Sequence, residues 1–262
     1  MSILRLESIN KKYLFAKQPA VDNLNLSVGE NCIFGFLGPN GAGKSTTINI
    51  IARMVKKDAG QVLFCGRDIK DGDYEYKMHI GFVLEKPTYF EKLTVKEYLE
   101  FVASMYNLDR IETKRRTVEL IDFLELTEKH NEWIEKCSAG TKKKVSLAAA
   151  IIHRPKLLIL DEPLEGIDPV SAKQIKDMLR DMVSKGATVF MSSHNLDTVE
   201  KLCDEVAIIN RGQLVFQSRT EDIRKKIKDE VSQETYQSLE EIFIDVVSKD
   251  GERKEKKKLS WL

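Results

Sequence analysis

Gly38-Pro39-Asn40-Gly41-Ala42-Gly43-Lys44-Ser45-Thr46 fits the pattern G-x-x-x-x-G-K-[ST]. Ile33, Phe34, Phe36 and Leu37 precede it as a buried strand would, and Ile48, Ile50 and Ile51 follow at helical spacing. Glycines let the chain bend until several backbone N–H groups face one anion, and the helix N-terminus adds positive potential there. Lys44 then reaches the β- and γ-phosphates of a bound nucleotide, and Ser45 holds Mg²⁺.

A second constellation lies far along the chain. Leu157-Leu158-Ile159-Leu160-Asp161-Glu162 is an apolar run ending in two carboxylates, the Walker B pattern. A buried strand of this kind delivers Asp161 to Mg²⁺ beside the phosphate loop. Glu162, one step on, is placed to orient or deprotonate an attacking water. Thr188 and Met191 bound a further strand, followed by Ser192-Ser193-His194. Strand ends of a parallel sheet face one crevice, so His194 is expected near the γ-phosphate or the water.

The elements between these motifs alternate. Strands are expected at 3–6, 24–28, 32–37, 61–65 and 80–84, then at 157–160, 188–191 and 206–209. Thr94 and Glu97 make a capping box before Val95, Tyr98, Leu99, Val102, Met105 and Tyr106, which recur at helical spacing. Val118, Ile121, Phe123, Leu124 and Leu126 suggest another helix. Residues 86–152 therefore read as a mostly helical insert. Asp168 N-caps a helix starting at Pro169. The pattern implies an α/β fold around a parallel sheet.

Composition narrows the function classes. Lys plus Arg number 42 against 41 Asp plus Glu, a net charge of +1, which argues against nonspecific nucleic-acid binding as the main task. No run of eighteen apolar residues is present, and residues 1–12 carry no signal-peptide stretch. Cys32, Cys65, Cys137 and Cys203 are far apart and form no Cys-x-x-Cys pair, so reduced thiols in a cytoplasmic protein are expected. Beyond Thr220 the pattern loosens, with one short amphipathic helix expected through Leu239, Ile242, Phe243, Val246 and Val247. Arg253, Lys254, Lys256, Lys257 and Lys258 beside Trp261 read as a solvated, frayed tail, the alternative being contact with an anionic membrane surface.

Together these motifs resemble the nucleotide-binding subunit of an ABC transporter over about residues 1–218. The resemblance implies a P-loop NTPase (RecA-like) core with an antiparallel β subdomain and a helical insert. It divides the chain into an ATPase domain at 1–219, holding the helical subdomain at about 86–152, and a partly helical tail at 220–262. In that family a signature sequence, usually Leu-Ser-Gly-Gly-Gln, stands about two dozen residues before the Walker B Asp. Cys137-Ser138-Ala139-Gly140-Thr141 holds that place, with Ser138 23 residues before Asp161. There the resemblance implies that Ser138, Ala139 and Gly140 contact ATP held by an opposite subunit, so that two chains sandwich two ATP molecules. It implies adenine stacking by Tyr13, 25 residues before Gly38. It places Asp168 in a loop crossing the dimer interface, His194 as the switch His and Glu162 as the catalytic carboxylate.

Two departures stand out. Cys137, Ala139 and Thr141 replace Leu, the first Gly and Gln of the signature; Ala139 crowds the approach if its φ must be positive. Glu85 stands where the family usually has a Gln that helps ligate Mg²⁺. A carboxylate also ligates Mg²⁺ but brings negative charge toward the γ-phosphate. Glu85 is similar to the residue in some separate-chain exporters of the drug and antibiotic-resistance type.

The resulting expectation is an ATPase, using ATP and Mg²⁺, that pairs with a second ATPase subunit as homo- or heterodimer. It powers a separate transmembrane permease, an exporter by the resemblance, from the cytoplasmic face of the cell membrane, with no specific nucleic acid. The rival is a non-transport ABC ATPase acting as a nucleotide-switched binding module. Ribosomal members usually carry two ATPase units and DNA-repair members long heptads; this chain shows one unit and no heptads.

Overall fold

The computed structural model describes residues 2–70, 72–223 and 238–249. Two sheets share the chain. The first is antiparallel, with order β2-β1-β4-β5, built from β1 (Ser2–Lys11), β2 (Val21–Gly29), β4 (Ala59–Phe64) and the two-residue β5 (Arg67–Asp68). The second has order β10-β9-β3-β8-β7-β6 and contains β3 (Ile33–Leu37), β6 (Ile80–Val83), β7 (Leu157–Asp161), β8 (Thr188–Ser193), β9 (Glu205–Asn210) and β10 (Gln213–Arg219). Strands β6, β7, β8, β3 and β9 run parallel, and β10 returns antiparallel along the edge.

Side-chain alternation along the parallel strands explains why the sheet is buried on both faces. Phe34, Phe36, Leu157, Ile159, Phe190, Ala207 and Ile209 face the antiparallel sheet and the helix α1 (Lys44–Ile51). Their ring contacts are close: Phe190 stacks on Phe34 at 5.6 Å and leans on Phe36 at 5.3 Å. The alternate residues Ile33, Leu37, Leu158, Leu160, Val189, Met191, Val206 and Ile208 face the helices. At Gly35 a Cβ would come within 2.7 Å of the Val199 side chain, so glycine lets α6 (Leu196–Leu202) lie directly on β3.

The helical insert contains α2 (Val95–Met105), α3 (Arg110–Phe123) and α4 (Ala139–Ile151), with short 3₁₀ turns at Thr127–Lys129 and Ile134–Lys136. The expected capping box is formed: the Glu97 amide donates to Thr94 Oγ1 at 3.2 Å, and the Thr94 amide donates to Glu97 Oε2 at 2.8 Å. The second insert helix begins eight residues before Val118, at an Asp109 cap that the apolar spacing did not reveal. Val118 and Met105 are largely exposed rather than core positions. The helix at Pro169 is α5 (Pro169–Ser184), and Asp168 caps it through the Val170 and Ser171 amides.

Strand β10 was not anticipated, because its half-exposed Gln213–Arg219 segment offers few apolar residues. The signal lay in its turn: Arg211 and Gly212 both have positive φ, +47° and +83°, as a two-residue hairpin linking β9 to β10 requires. After β10 the described chain stays on the core. Thr220 Oγ1 donates to the Cys203 carbonyl at 2.7 Å, and Ile223, Leu239 and Ile242 are buried among the helices. The expected terminal helix is α7 (Leu239–Lys249), lying against α6. The basic residues near Trp261 lie outside the described residues. Cys32, Cys137 and Cys203 are buried free thiols, while Cys65 is exposed.

The insert meets the core partly through Tyr106, whose ring stacks on His153 at 3.6 Å between centroids and 3° between planes. Burial pushes the His153 imidazole down to about 4, and neighbouring Arg116 and His79 act in the same direction. Between that value and about 6.5 the unfolded chain binds a proton that the folded chain refuses. The contribution of His153 to stability is therefore complete above the unfolded value and drains away as pH falls toward 4. Urea unfolding at neutral and at acidic pH should show wild type losing more stability on acidification than His153→Phe; equal losses would remove His153 from the account.

Candidate functional site

The parallel register brings the motif residues to one edge. Leu37 is level with Ser193, and Asp161 with Ser192, so β3, β8 and β7 end together. The phosphate loop leaves β3 there, His194 follows β8, and Glu162 follows β7. They line a single cavity of about 690 Å³ with Gly38 through Thr46 and Glu85.

The loop is shaped by close packing. A Cβ on Gly38 would sit 2.4 Å from the Ile209 carbonyl oxygen. One on Gly43, whose φ is +111°, would sit 2.4 Å from the Ala20 carbonyl oxygen. The chain can take this curve only without side chains at those points. Lys44 is buried, and its ammonium donates to the Gly38 carbonyl at 2.7 Å. That holds a positive charge inside the ring of loop amides, where an anion's charge can replace the carbonyl as partner.

The acidic wall is built around Ser192. Its buried hydroxyl donates to Asp161 Oδ1 at 2.5 Å and accepts the Glu162 amide at 3.0 Å. Glu162 has φ +48°, an uncommon conformation for a residue with a Cβ, and the Ser192 bond helps hold it. The Glu162 carboxylate reaches His194 Nδ1 at 3.1 Å, with His194 mostly exposed and Glu162 largely covered. Ser45 Oγ donates to Glu85 Oε2 at 3.4 Å. Ser45 and Glu85 line the cavity and Asp161 lies buried at the end of β7, so the hydroxyl and carboxylate oxygens gathered at this edge form a hard donor set suited to Mg²⁺.

The remaining sequence candidates lie at the margins. Tyr13 stands beside the loop's end, its hydroxyl 3.4 Å from Thr46 Oγ1, with 43% of its surface exposed. Ser138 caps α4, accepting the Thr141 amide at 3.1 Å, and its oxygen lies 2.9 Å from Thr141 Oγ1. Ala139 opens α4 without a positive φ, so the replaced signature glycine carries no backbone strain. Ser138, Ala139 and Asp168 are exposed and stand apart from the residues lining the cavity. Backbone and side-chain hydrogen bonds from Ser171 hold the Asp168 carboxyl below the usual carboxylate range.

Three participants were not singled out in the sequence. In the sequence Ser192 stands out only as a neighbour of His194, whereas its position level with Asp161 gives it the anchoring role. Glu165 lines the cavity through the turn after Glu162. Phe243 of α7 also reaches the cavity from a distant part of the chain, which no local pattern signals.

Comparison with known proteins agrees with this geometry. The model of a family described as ABC transporter matches residues 21–165. The chain is 36% identical over 243 residues to the linearmycin resistance ATP-binding protein of Bacillus subtilis, covering 92% of this chain and 78% of that one. It is 32% identical over 226 residues to the bacitracin transport ATP-binding protein of Bacillus licheniformis, covering 86% and 72%. The solved structure of an ATP-binding subunit of an ABC transporter superposes with a TM-score of 0.83 at 28% identity, over 94% of this chain and 99% of the other. An ATP-binding cassette solved in its ADP conformation gives a TM-score of 0.72 at 27% identity, over 88% and 96%.

Ser192→Ala tests the anchoring of the acidic wall. Removing the hydroxyl leaves Asp161 and the Glu162 amide each short of a partner, a loss of about 1–3 kcal/mol for groups kept from water. Chemical unfolding should show that destabilisation. A variant as stable as wild type would mean that Ser192 does not hold the Glu162 conformation.

Proposed function

The chain belongs to the ABC transporter family, and on that premise we propose an ATP-hydrolysing subunit that dimerises around nucleotide and drives a separate membrane exporter. The observation that carries this reading is the single cavity in which the phosphate loop, Glu162 and His194 meet. Phosphoryl transfer to water asks the protein mainly for positioning and electrostatic stabilisation. Lys44 and the loop amides bind the phosphates, and Tyr13 stacks on the adenine. Ser45, Asp161 and Glu85 would hold Mg²⁺, which would supply charge neutralisation for the β- and γ-phosphates. Glu162 accepts the proton of the attacking water, while His194, on its carboxylate, orients that pair.

The exposed signature element supports a paired arrangement. Ser138, Ala139 and Gly140 lie at the N-terminus of α4, with Ser138 and Ala139 exposed, where the helix end favours an anion. We assign them to the γ-phosphate of ATP held by a second subunit, with Asp168 in the loop between the two.

Coupling to the membrane follows the same segment that carries Glu85. Just beyond it, Pro87, Tyr89, Phe90, Leu93 and Phe101 line an open cleft of about 860 Å³. Phe90 is 59% exposed and packs edge-on against Phe101 at 5.0 Å. The cleft also touches the signature helix: Tyr89 Oη donates to the Lys142 carbonyl at 3.0 Å and lies 2.6 Å from Ser146 Oγ. An apolar cleft wired to both Glu85 and α4 suits a protruding segment of a permease. No helix among the described residues is long and apolar enough to cross a membrane, so the spanning part is assigned to that other chain, with this subunit on its cytoplasmic face. Linearmycin resistance, bacitracin transport and fluoroquinolone export in the names of relatives support an exporter.

Glu162→Gln keeps the shape of the carboxylate and loses its basicity. Turnover should fall by about 10²–10⁴, and MgATP should accumulate dimers, because opening requires hydrolysis. Phosphate release and size-exclusion chromatography read both effects; full turnover with no ATP-stabilised dimer would sink the assignment.

A photocrosslinker at Phe90 should capture a multi-span membrane protein in cells. Capture of ribosomal proteins alone would favour a nucleotide-switched module instead of a transporter subunit.

A further inference from the structure

Lys143 lies one position past the carbonyl that Tyr89 grips, on the first part of α4. Its ammonium donates to the Glu165 carbonyl at 2.7 Å. Gly140, three residues earlier and so on the same helix face, lies against the next residue of that loop: a Cβ there would be 3.6 Å from the Gly166 carbonyl oxygen. The signature end of α4 and the turn after β7 are therefore in contact along Gly140 and Lys143.

That turn begins with Glu162. The Glu165 amide closes it on the Glu162 carbonyl at 3.4 Å, and Glu162 itself holds φ +48°. Two bonds from outside the turn brace it, Ser192 at its start and Lys143 at its end. The Lys143 side chain is partly withdrawn from water, which pushes its amine below the ordinary lysine range against the pull of Glu165, Glu162 and Asp161. A charged donor kept in that place strengthens the bond it makes and makes its loss costly.

We propose that Lys143 is a positioning residue that transmits engagement of the signature element to the Glu162 turn of the same chain. The inference rests on the paired reading above. In that pair, Ser138 of one chain touches the nucleotide bound by its partner, whereas Glu162 of that chain acts on its own nucleotide. Lys143 then links the two sites. A first turn of helix is stiff, so a shift of Ser138 and Gly140 on meeting a phosphate moves Lys143 with it and resets the carbonyl that ends the turn. Lys143 is not among the residues that line the cavity with Lys44 and the phosphate loop, so nucleotide binding by the single chain is not expected to depend on it.

Turnover and MgATP affinity of the full chain test this. Lys143→Met keeps the apolar stem and loses the donor; turnover should fall about tenfold while affinity in a nucleotide titration stays within about twofold, a split equal to about 1.4 kcal/mol on the hydrolytic step alone. Lys143→Arg, which keeps a charged donor, should recover most of the rate. In a cycle with Ser138→Ala, Lys143→Met should cost little further once the signature hydroxyl is gone, because both act on one path. Wild-type turnover in Lys143→Met, or losses that simply multiply in the double variant, would overturn the proposal. Wild-type turnover in Ser138→Ala alone would overturn the paired reading and this inference with it.

Discussion

Strands β3, β8 and β7 end level because each is buried on both faces and is locked in register with its neighbours. A slip of one residue would exchange the Phe34 and Phe36 face with the Ile33 and Leu37 face against two differently shaped layers. It would also carry Asp161 away from Ser192. Every distance in the cavity, from the loop glycines to the His194–Glu162 contact, depends on that shared edge. The aromatic layer of Phe34, Phe36 and Phe190 on one side and the close approach of α6 over Gly35 on the other give the register its stiffness.

Charge is distributed across the cavity with the same economy. Lys44 sits in the loop with its ammonium on the Gly38 carbonyl, so the cationic side is already oriented before an anion arrives. Around it stand Glu85 on the cavity lining, Asp161 buried at the end of β7, and Glu162 on the lining again. Each has a side-chain partner: Ser45, Ser192 and His194 respectively. In the proposed reaction a nucleotide with its Mg²⁺ would bring the negative charge that Lys44 lacks as a partner and the positive charge that the carboxylates lack. The replacement of the usual family Gln by Glu85 fits this arrangement, since Ser45 already engages the carboxylate.

The α4 N-terminus connects the cavity with the rest of the molecule. Its first turn presents Ser138 to the outside, its Lys142 carbonyl takes Tyr89 from the apolar cleft, and its Lys143 ammonium takes the turn after Glu162. A rigid short segment with three such attachments moves as a unit, so in the proposed arrangement nucleotide, partner subunit and membrane protein would act on the same body.

The sequence by itself determined the elements whose signals are local. The phosphate loop, the apolar strand ending in Asp161-Glu162, the Thr94–Glu97 capping box and the Asp168 cap were all legible, because each is a contact between residues a few positions apart. The helical insert and the parallel core followed from periodicity. The hairpin strand β10 was missed because a half-exposed edge carries little apolar pattern, and Val118 and Met105, though they fit the helical spacing, lie exposed, because spacing alone does not say which face has a neighbour. Only the tertiary structure decided that Ser192 supports both acids, that Lys143 braces the Glu162 turn, that Phe243 reaches the cavity and that Ala139 fits an ordinary helical start. The three contacts join residues far apart in the chain, brought together by the strand register and by helix packing; the backbone of Ala139 was set by how α4 begins. No window of sequence contains those distances.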